Sequence, residues 1–202
     1  SYSEGWAAAL VAVAMSMERE GNGSSAIAAL ARSSRDTREY LRDEVVGAWR
    51  PEKLDFAIKT CILDTLSEPP CNAVTGGCNA RHMLKEISGE NDFLLALDEQ
   101  KREYRYHHLF RRFLRELLAD AAPETVTALH LKAARWFEER ALIPEAIEHL
   151  LSGGAYQDAF ALFEHGTDYL IHQNDFSPLL SWLERLPKPM LDSSFQAAFI
   201  YA

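Results

Sequence analysis

Apolar residues recur at helical spacing along most of this chain, and one short stretch switches to the alternation of a strand pair. From about Glu4 to Arg19 the apolar positions surround the helix, and Gly21-Asn-Gly23 stops it. A second helix is predicted over Ser25–Ala31, followed by a polar joint at Ser33–Asp36. Tyr40–Trp49 reads as helical, and Pro51 starts the next element. There Leu54, Ala57, Ile58, Cys61 and Ile62 follow i, i+3, i+4, i+7, i+8 spacing, which predicts one apolar face. Pro69-Pro70 opens a short helix that Gly76-Gly77 ends, because proline suits a first turn and glycine a left-handed stop. Asn79–Ile87 is the next helix, with Ala80, Met83, Leu84 and Ile87 on its apolar side.

The pattern then changes. Phe93–Leu97 is a short apolar run consistent with a strand, Asp98–Glu103 is polar and turn-like, and Tyr104–His107 returns as a second strand. Three helices followed by a hairpin is the order of a winged helix. The helix from about Leu109 to Ala119 leaves the hairpin with Phe110, Phe113, Leu114 and Leu117 on one stripe. Past Pro123 the chain is helical again: Val126–Glu139, Pro144–Leu151 up to Gly153-Gly154, Ala155–Glu164, Thr167–His172 and Phe176–Arg185. Pro144–Leu150 and Gln157–Phe163 echo one another, each with an acid-Ala-apolar core. Short paired helices of this kind point to a tetratricopeptide-like solenoid, although the echo is far shorter than that class's period of about 34 residues. The expected fold is therefore mainly α: a winged-helix-like module with a small β-hairpin, followed by the start of a helical solenoid. Boundaries fall near 34 and 120.

The net charge of −9 over 202 residues argues against a surface that binds nucleic acid throughout. The charge is uneven. Lys101–Leu118 holds six basic and two acidic residues, whereas Ala119 onward holds twelve acidic and five basic. Three cysteines, Cys61, Cys71 and Cys78, fit a reducing cytoplasm better than a disulfide framework. The apolar run Trp6–Met15 is too short to span a bilayer, and without a preceding basic residue it is a core helix rather than a signal peptide. The opening on a buried-type helix and the apolar ending Phe195–Ala202 lead us to expect an internal fragment of a longer protein.

Candidate chemistry is sparse. His108, Arg111, Arg112 and Arg115 lie together opposite the apolar stripe of their helix, as a phosphate-contacting face, an interdomain face, or a solvated face paired with Glu116 or Asp120. Asn79, Arg81, His82 and Lys85 occupy the polar side of what would be a recognition helix, although any solvent-facing helix carries such residues. Cys71, Cys78 and His82 match no common zinc spacing, so no metal site is expected. Neither Gly21–Ser25 nor Thr75–Gly77 ends in the Lys-Ser/Thr of a phosphate-cradling loop, and no catalytic motif is found. In the His107-His108 pair, a strand would point the two rings in opposite directions, one buried near Phe93, Leu95 and Tyr106 and one exposed.

Several phrases occur in one order. They are Glu4–Leu10, Tyr40–Val46, Ile58–Asp64, Cys71-Asn-Ala-Val-Thr-Gly76, Asn91–Asp98, Tyr104-Arg-Tyr-His-His-Leu-Phe110, Leu129–Phe137 and Glu145–His149. In this order they resemble the MalT-like, LuxR-type transcriptional regulators of the signal-transduction ATPase class known as STAND, over nearly the whole chain. The resemblance implies an upstream P-loop ATPase domain, a helical sensor for a small-molecule or protein inducer, and a C-terminal LuxR-type domain that alone contacts DNA. Residues 1–34 would then close the nucleotide-binding module, 35–120 would be the winged helix, and 121–202 would begin the sensor. His107 matches the family's winged-helix histidine, which contacts the β-phosphate of ADP. Gly5 and Trp6 fall where relatives approach the adenine, although Ala7 replaces their proline. The resemblance implies ATP or ADP in the full protein, no cofactor in this piece, no ATPase activity without the P-loop, and no membrane. The alternatives are a self-contained DNA-binding winged helix with a helical dimerisation tail, or a protein-interaction scaffold.

Overall fold

The computed structural model describes residues 41–90, 93–163 and 177–188. The expected helices at Glu4–Arg19, Ser25–Ala31 and Thr167–His172, and the chain's last residues, lie outside them. The described part is mainly helical with one antiparallel hairpin. No described helix is long and apolar enough to cross a membrane. By contacts the chain divides into two compact units. One takes residues up to Thr65 with Arg81–Leu118, and the other takes Leu66–Ala80 with residues from Ala119 onward.

The described part of the first unit begins with a π-helical turn, Leu41–Val46, within the stretch read as helical. Pro51 then starts α1, Pro51–Thr60. Its fixed φ suits the first helical turn, and its missing N–H is not needed there. The buried side of α1 is Lys53, Phe56, Ala57 and Thr60, continuing into Cys61 and Ile62. Leu54 and Ile58 are only half-buried, so the face is rotated about one residue from the one periodicity predicts. The reason is that two polar residues bury with partners. Thr60 Oγ1 donates to the Phe56 carbonyl at 2.8 Å and lies 2.8 Å from the Tyr106 hydroxyl. Lys53 is 2% exposed, with its ammonium 4.3 Å from the Trp49 ring centre and 4.0 Å from Glu86 Oε1. A long alkyl stem can line a core when its charged head finds a π-face and a carboxylate.

The helix α3, Ala80–Glu90, buries Ala80, Met83, Leu84 and Ile87, as its spacing predicts. Strands β1, Leu94–Ala96, and β2, Tyr104–Tyr106, pair antiparallel with Leu94 opposite Tyr106 and Ala96 opposite Tyr104. Asp98 organises the turn: Oδ1 accepts the Arg102 and Glu103 amides at 2.7 and 2.9 Å. Helix α4, His108–Ala119, buries Phe110, Phe113, Leu114 and Leu118. Phe110 is the hub, with ring centres of Trp49, Phe93, Tyr106 and Phe113 between 5.2 and 6.2 Å away.

In the second unit α2, Glu68–Thr75, ends at Gly76, whose φ of 73° is the left-handed stop that glycine tolerates. The Gly76 amide donates to the Asn72 carbonyl at 2.9 Å, and Asn72 Oδ1 takes the Ala80 amide at 3.0 Å. Helix α2 packs on α5, Pro123–Glu138, which in turn packs on α6, Ile143–Ser152. Crowding at the far end of this helical hairpin is tight: a Cβ on Gly153 would stand 3.0 Å from His130 Cβ. A helical stretch over 156–163 and a helix α7, Ser177–Arg185, complete the layer. Their core joins Ala134, Ile147, Leu150 and Leu151 to Ala159, Phe163, Trp182 and Leu183. The two echoing phrases place Ala146 and Ala159 alike: both small residues are buried, at 0% and 1% exposure.

Candidate functional site

The His107 junction is built by a change of backbone state. Strand β2 ends at Tyr106, and α4 begins at His108, so His107 is the residue at which extended chain becomes helix. Its amide donates to the Phe93 carbonyl at 2.7 Å, which extends the hairpin by one bond. Its carbonyl accepts the Arg111 amide at 2.9 Å, the first bond of α4. Its Nδ1 accepts the Leu109 amide at 3.4 Å. His107 is therefore the N-cap of α4, with an imidazole nitrogen in the place usually taken by a serine or aspartate oxygen.

The ring of His107 is buried and that of His108 is exposed. The two do not point in opposite directions as strand neighbours would, because His108 already belongs to the helix. Their centres are 4.5 Å apart with planes inclined by 33°. Tyr106, Phe110 and Phe93 form the apolar floor beside this turn.

The arginines of α4 divide. Arg111 turns inward: Nε donates to the Cys61 carbonyl at 3.0 Å and Nη2 to the Ile62 carbonyl at 3.4 Å, and the guanidinium pairs with Asp64. It thereby covers carbonyls that the end of α1 leaves without helical partners. Arg112 is exposed and pairs with Glu116 one turn on, at 3.3 Å. Arg115 lies on the exposed side near Arg111. Partial desolvation of its guanidinium, then the Arg111 charge, lower its pKa, while Cys61 and Asp64 pull the other way. The four residues read as one basic face are thus one structural clamp, one helix-surface ion pair, and two exposed side chains, His108 and Arg115.

The polar side of α3 is exposed at Arg81, His82 and Lys85, and Asn79 is exposed ahead of it. His82 Nδ1 lies 3.6 Å from Glu86, which Arg50 holds with two contacts of 2.8 Å. Burial pushes the thiols of Cys61 and Cys71 up to about 12, which makes both inert apolar fillers. Cys78 is exposed. Among the described residues no group of three or more His, Cys, Asp or Glu side chains could hold a metal ion. Gly5 and Trp6 lie outside the described residues.

Sequence reasoning did not single out Lys53, Asp64 or the contact between His130 and His149, whose Nδ1 atoms are 3.0 Å apart on α5 and α6. Each depends on a partner distant in sequence. The one legible hint was the placement of Asp64, an acid just past the end of α1.

Residues 42–126 match the family model of the MalT winged helix domain. The serine/threonine-protein kinase PknK of Mycobacterium tuberculosis is 29% identical over 191 residues, covering 95% of this chain and 17% of that kinase. The HTH-type transcriptional regulator MalT of Klebsiella pneumoniae is 29% identical over 199 residues, covering 93% of this chain and 22% of that regulator. This chain spans roughly a fifth of the length of these curated relatives. The helix order, the hairpin and the turn at His107 all fall inside the stretch that matches the MalT winged helix domain.

Proposed function

We propose that this chain is the regulatory, non-catalytic part of an ATP-dependent, LuxR-type transcriptional activator, coupling nucleotide state to a helical-repeat sensor. One observation carries most of this reading. Nearly the same stretch is shared by a protein named as a kinase and a protein named as a transcriptional regulator, each several times longer than the stretch itself. A segment common to two different outputs fits a role in control rather than in either output.

In this reading residues 1–34 close the nucleotide-binding module, 35–120 form the winged helix and 121–202 begin the sensor. An upstream ATPase domain holds most of the ATP or ADP, with Gly5 and Trp6 near the base. An inducer, small molecule or protein, acts on the sensor, and DNA is met by a C-terminal LuxR-type domain in the cytoplasm. His107 is the residue of the winged helix that meets the nucleotide. Its seat between a hairpin and a helix supports this, because both elements constrain the ring and a small shift of either would move it. A contact made in one state and lost in the other biases a two-state switch by its own free energy.

The test uses the full-length protein. His107→Ala should release ADP more readily and raise activity without inducer. A variant that retains ADP as tightly as wild type and stays fully inducer-dependent would overturn the role of His107.

A second reading, direct DNA binding by the winged helix, draws on the exposed Asn79, Arg81, His82 and Lys85. Arg111 contributes nothing to it, being engaged with Cys61, Ile62 and Asp64. A fluorescence-anisotropy titration of this chain with duplex DNA at low salt decides: no binding at micromolar protein removes this reading.

A further inference from the structure

We propose that Arg111 and Arg115 form a carboxylate-binding site on α4, that Asp64 occupies part of it in the free chain, and that its partner is an acidic polypeptide segment. All three residues belong to the first unit, and nothing in the inference depends on a nucleotide.

Arg111 and Arg115 stand one turn apart on α4, so they share a side of the helix. Arg111 is anchored, because its guanidinium donates to the Cys61 and Ile62 carbonyls at the end of α1. Asp64 pairs with it through a side chain that is 89% exposed. An ion pair so open to water is weak and exchanges readily for another carboxylate. Arg115 is in the opposite position. Among the described residues no hydrogen bond or ion pair holds it, yet its guanidinium is partly desolvated and stands near the like charge of Arg111. The Asp64 charge offsets these costs only in part.

The surrounding charges do not fill the gap. On α1 Lys59 pairs with Asp55, and on α4 Arg112 pairs with Glu116. Two guanidiniums and one carboxylate leave the site with positive charge in excess. Asp64 shows the kind of group the site accepts, a carboxylate. Spacing then favours a polypeptide over a single small anion. Side chains one helical turn apart start about 5–6 Å from each other. Same-face side chains on an extended segment repeat roughly every 6–7 Å. Two acidic residues in an extended i, i+2 relation can therefore meet Arg111 and Arg115 together and displace Asp64.

The experiment is a fluorescence-anisotropy titration of this chain with a labelled hexaglutamate peptide at low salt, where surface charges are least screened. Wild type should bind, and Arg115→Ala should weaken binding about threefold to fivefold. Asp64→Asn should tighten it about twofold or more, because the internal competitor is gone. Arg112→Ala and Glu116→Gln make the same two charge changes outside the site and should each stay within about twofold of wild type. All four side chains lie at the surface, so the variants keep the fold. No binding at millimolar peptide, or equal weakening by Arg115→Ala and Arg112→Ala, overturns the site. If Asp64→Asn leaves binding unchanged or weaker, Asp64 is not its occupant and the proposal fails. Inorganic phosphate that displaces the peptide better than chloride at equal ionic strength would overturn the polypeptide assignment in favour of a phosphate. Self-association in sedimentation velocity that Arg115→Ala abolishes would overturn it in favour of a second copy of this chain.

Discussion

Thr60 Oγ1 and the Tyr106 hydroxyl lie 2.8 Å apart inside the first unit, joining α1 to the second strand of the hairpin. Both residues are buried, at 0% and 3% exposure. Thr60 also donates to the Phe56 carbonyl, one turn back along its own helix. A hydroxyl that donates to Phe56 accepts from Tyr106, so the tyrosine is the donor of the pair. Tyr106→Phe should therefore cost only about 1 kcal/mol, because Thr60 keeps its helical acceptor and the ring keeps its place beside Phe110. Urea unfolding of the two proteins side by side measures it. A loss well above 3 kcal/mol would mean that the hydroxyl pair holds the hairpin in place.

The arginines of α4 should respond unequally to truncation. Arg111→Ala removes a guanidinium bonded to two carbonyls and an aspartate, and should cost about 2 kcal/mol. Arg112→Ala removes an exposed pair with Glu116 and should cost less than about 0.5 kcal/mol. Chemical denaturation of both variants checks the ratio. Equal small losses would return Arg111 to the solvated surface.

Gly76→Ala should destabilise the chain by about 1–2 kcal/mol through backbone conformation alone. The φ of 73° is left-handed, and the nearest atom to a new Cβ would be Lys132 Nζ at 3.9 Å, which is no clash. Gly76→Asn should recover part of the loss, since asparagine tolerates this region. If alanine proves neutral in a thermal melt, the end of α2 relaxes without needing glycine.

Acid should weaken the first unit through two carboxylates. The hydrogen bond from Arg50 is the main cause holding the Glu86 carboxyl below its usual range, and the Glu103 amide does most of the same for Asp98. A depressed folded-state pKa gives stability that is present above the unfolded value and is lost as pH falls through the folded one. The contribution is therefore intact at neutral pH and fades below about pH 4. The Glu86→Gln, Asp98→Asn double variant should show a flatter decline in stability across that acidic range, followed by circular dichroism. An unchanged slope would assign acid sensitivity to other carboxylates.

Much of the architecture can be read locally. Pro51, Pro69-Pro70 and Gly76 punctuate the chain by fixed or unusual backbone angles, which need no tertiary partner to act. Ala80, Met83, Leu84 and Ile87 identify a buried face from spacing alone, and all four are buried. The hairpin follows from two short apolar runs around Asp98, whose side chain closes the turn with amides four and five residues on. The phrase Tyr104–Phe110 is legible as a strand running into a helix for the same reason.

What pattern could not supply were the places where polar groups meet partners far along the chain. The buried face of α1 turned toward Lys53 and Thr60 because Glu86 and Tyr106 were there to receive them. Arg111 left the basic stripe because Cys61, Ile62 and Asp64, about fifty residues earlier, offered carbonyls and a charge. Likewise, the identity of His107 was visible in the motif, but the role of Nδ1 depends on the exact residue where the strand stops and the helix starts. Hydropathy spacing is a property of neighbours along the chain, and it sets which segments form helices or strands. Burial of a polar group depends on whether folding brings a donor or acceptor to it, and that is settled only when distant segments pack.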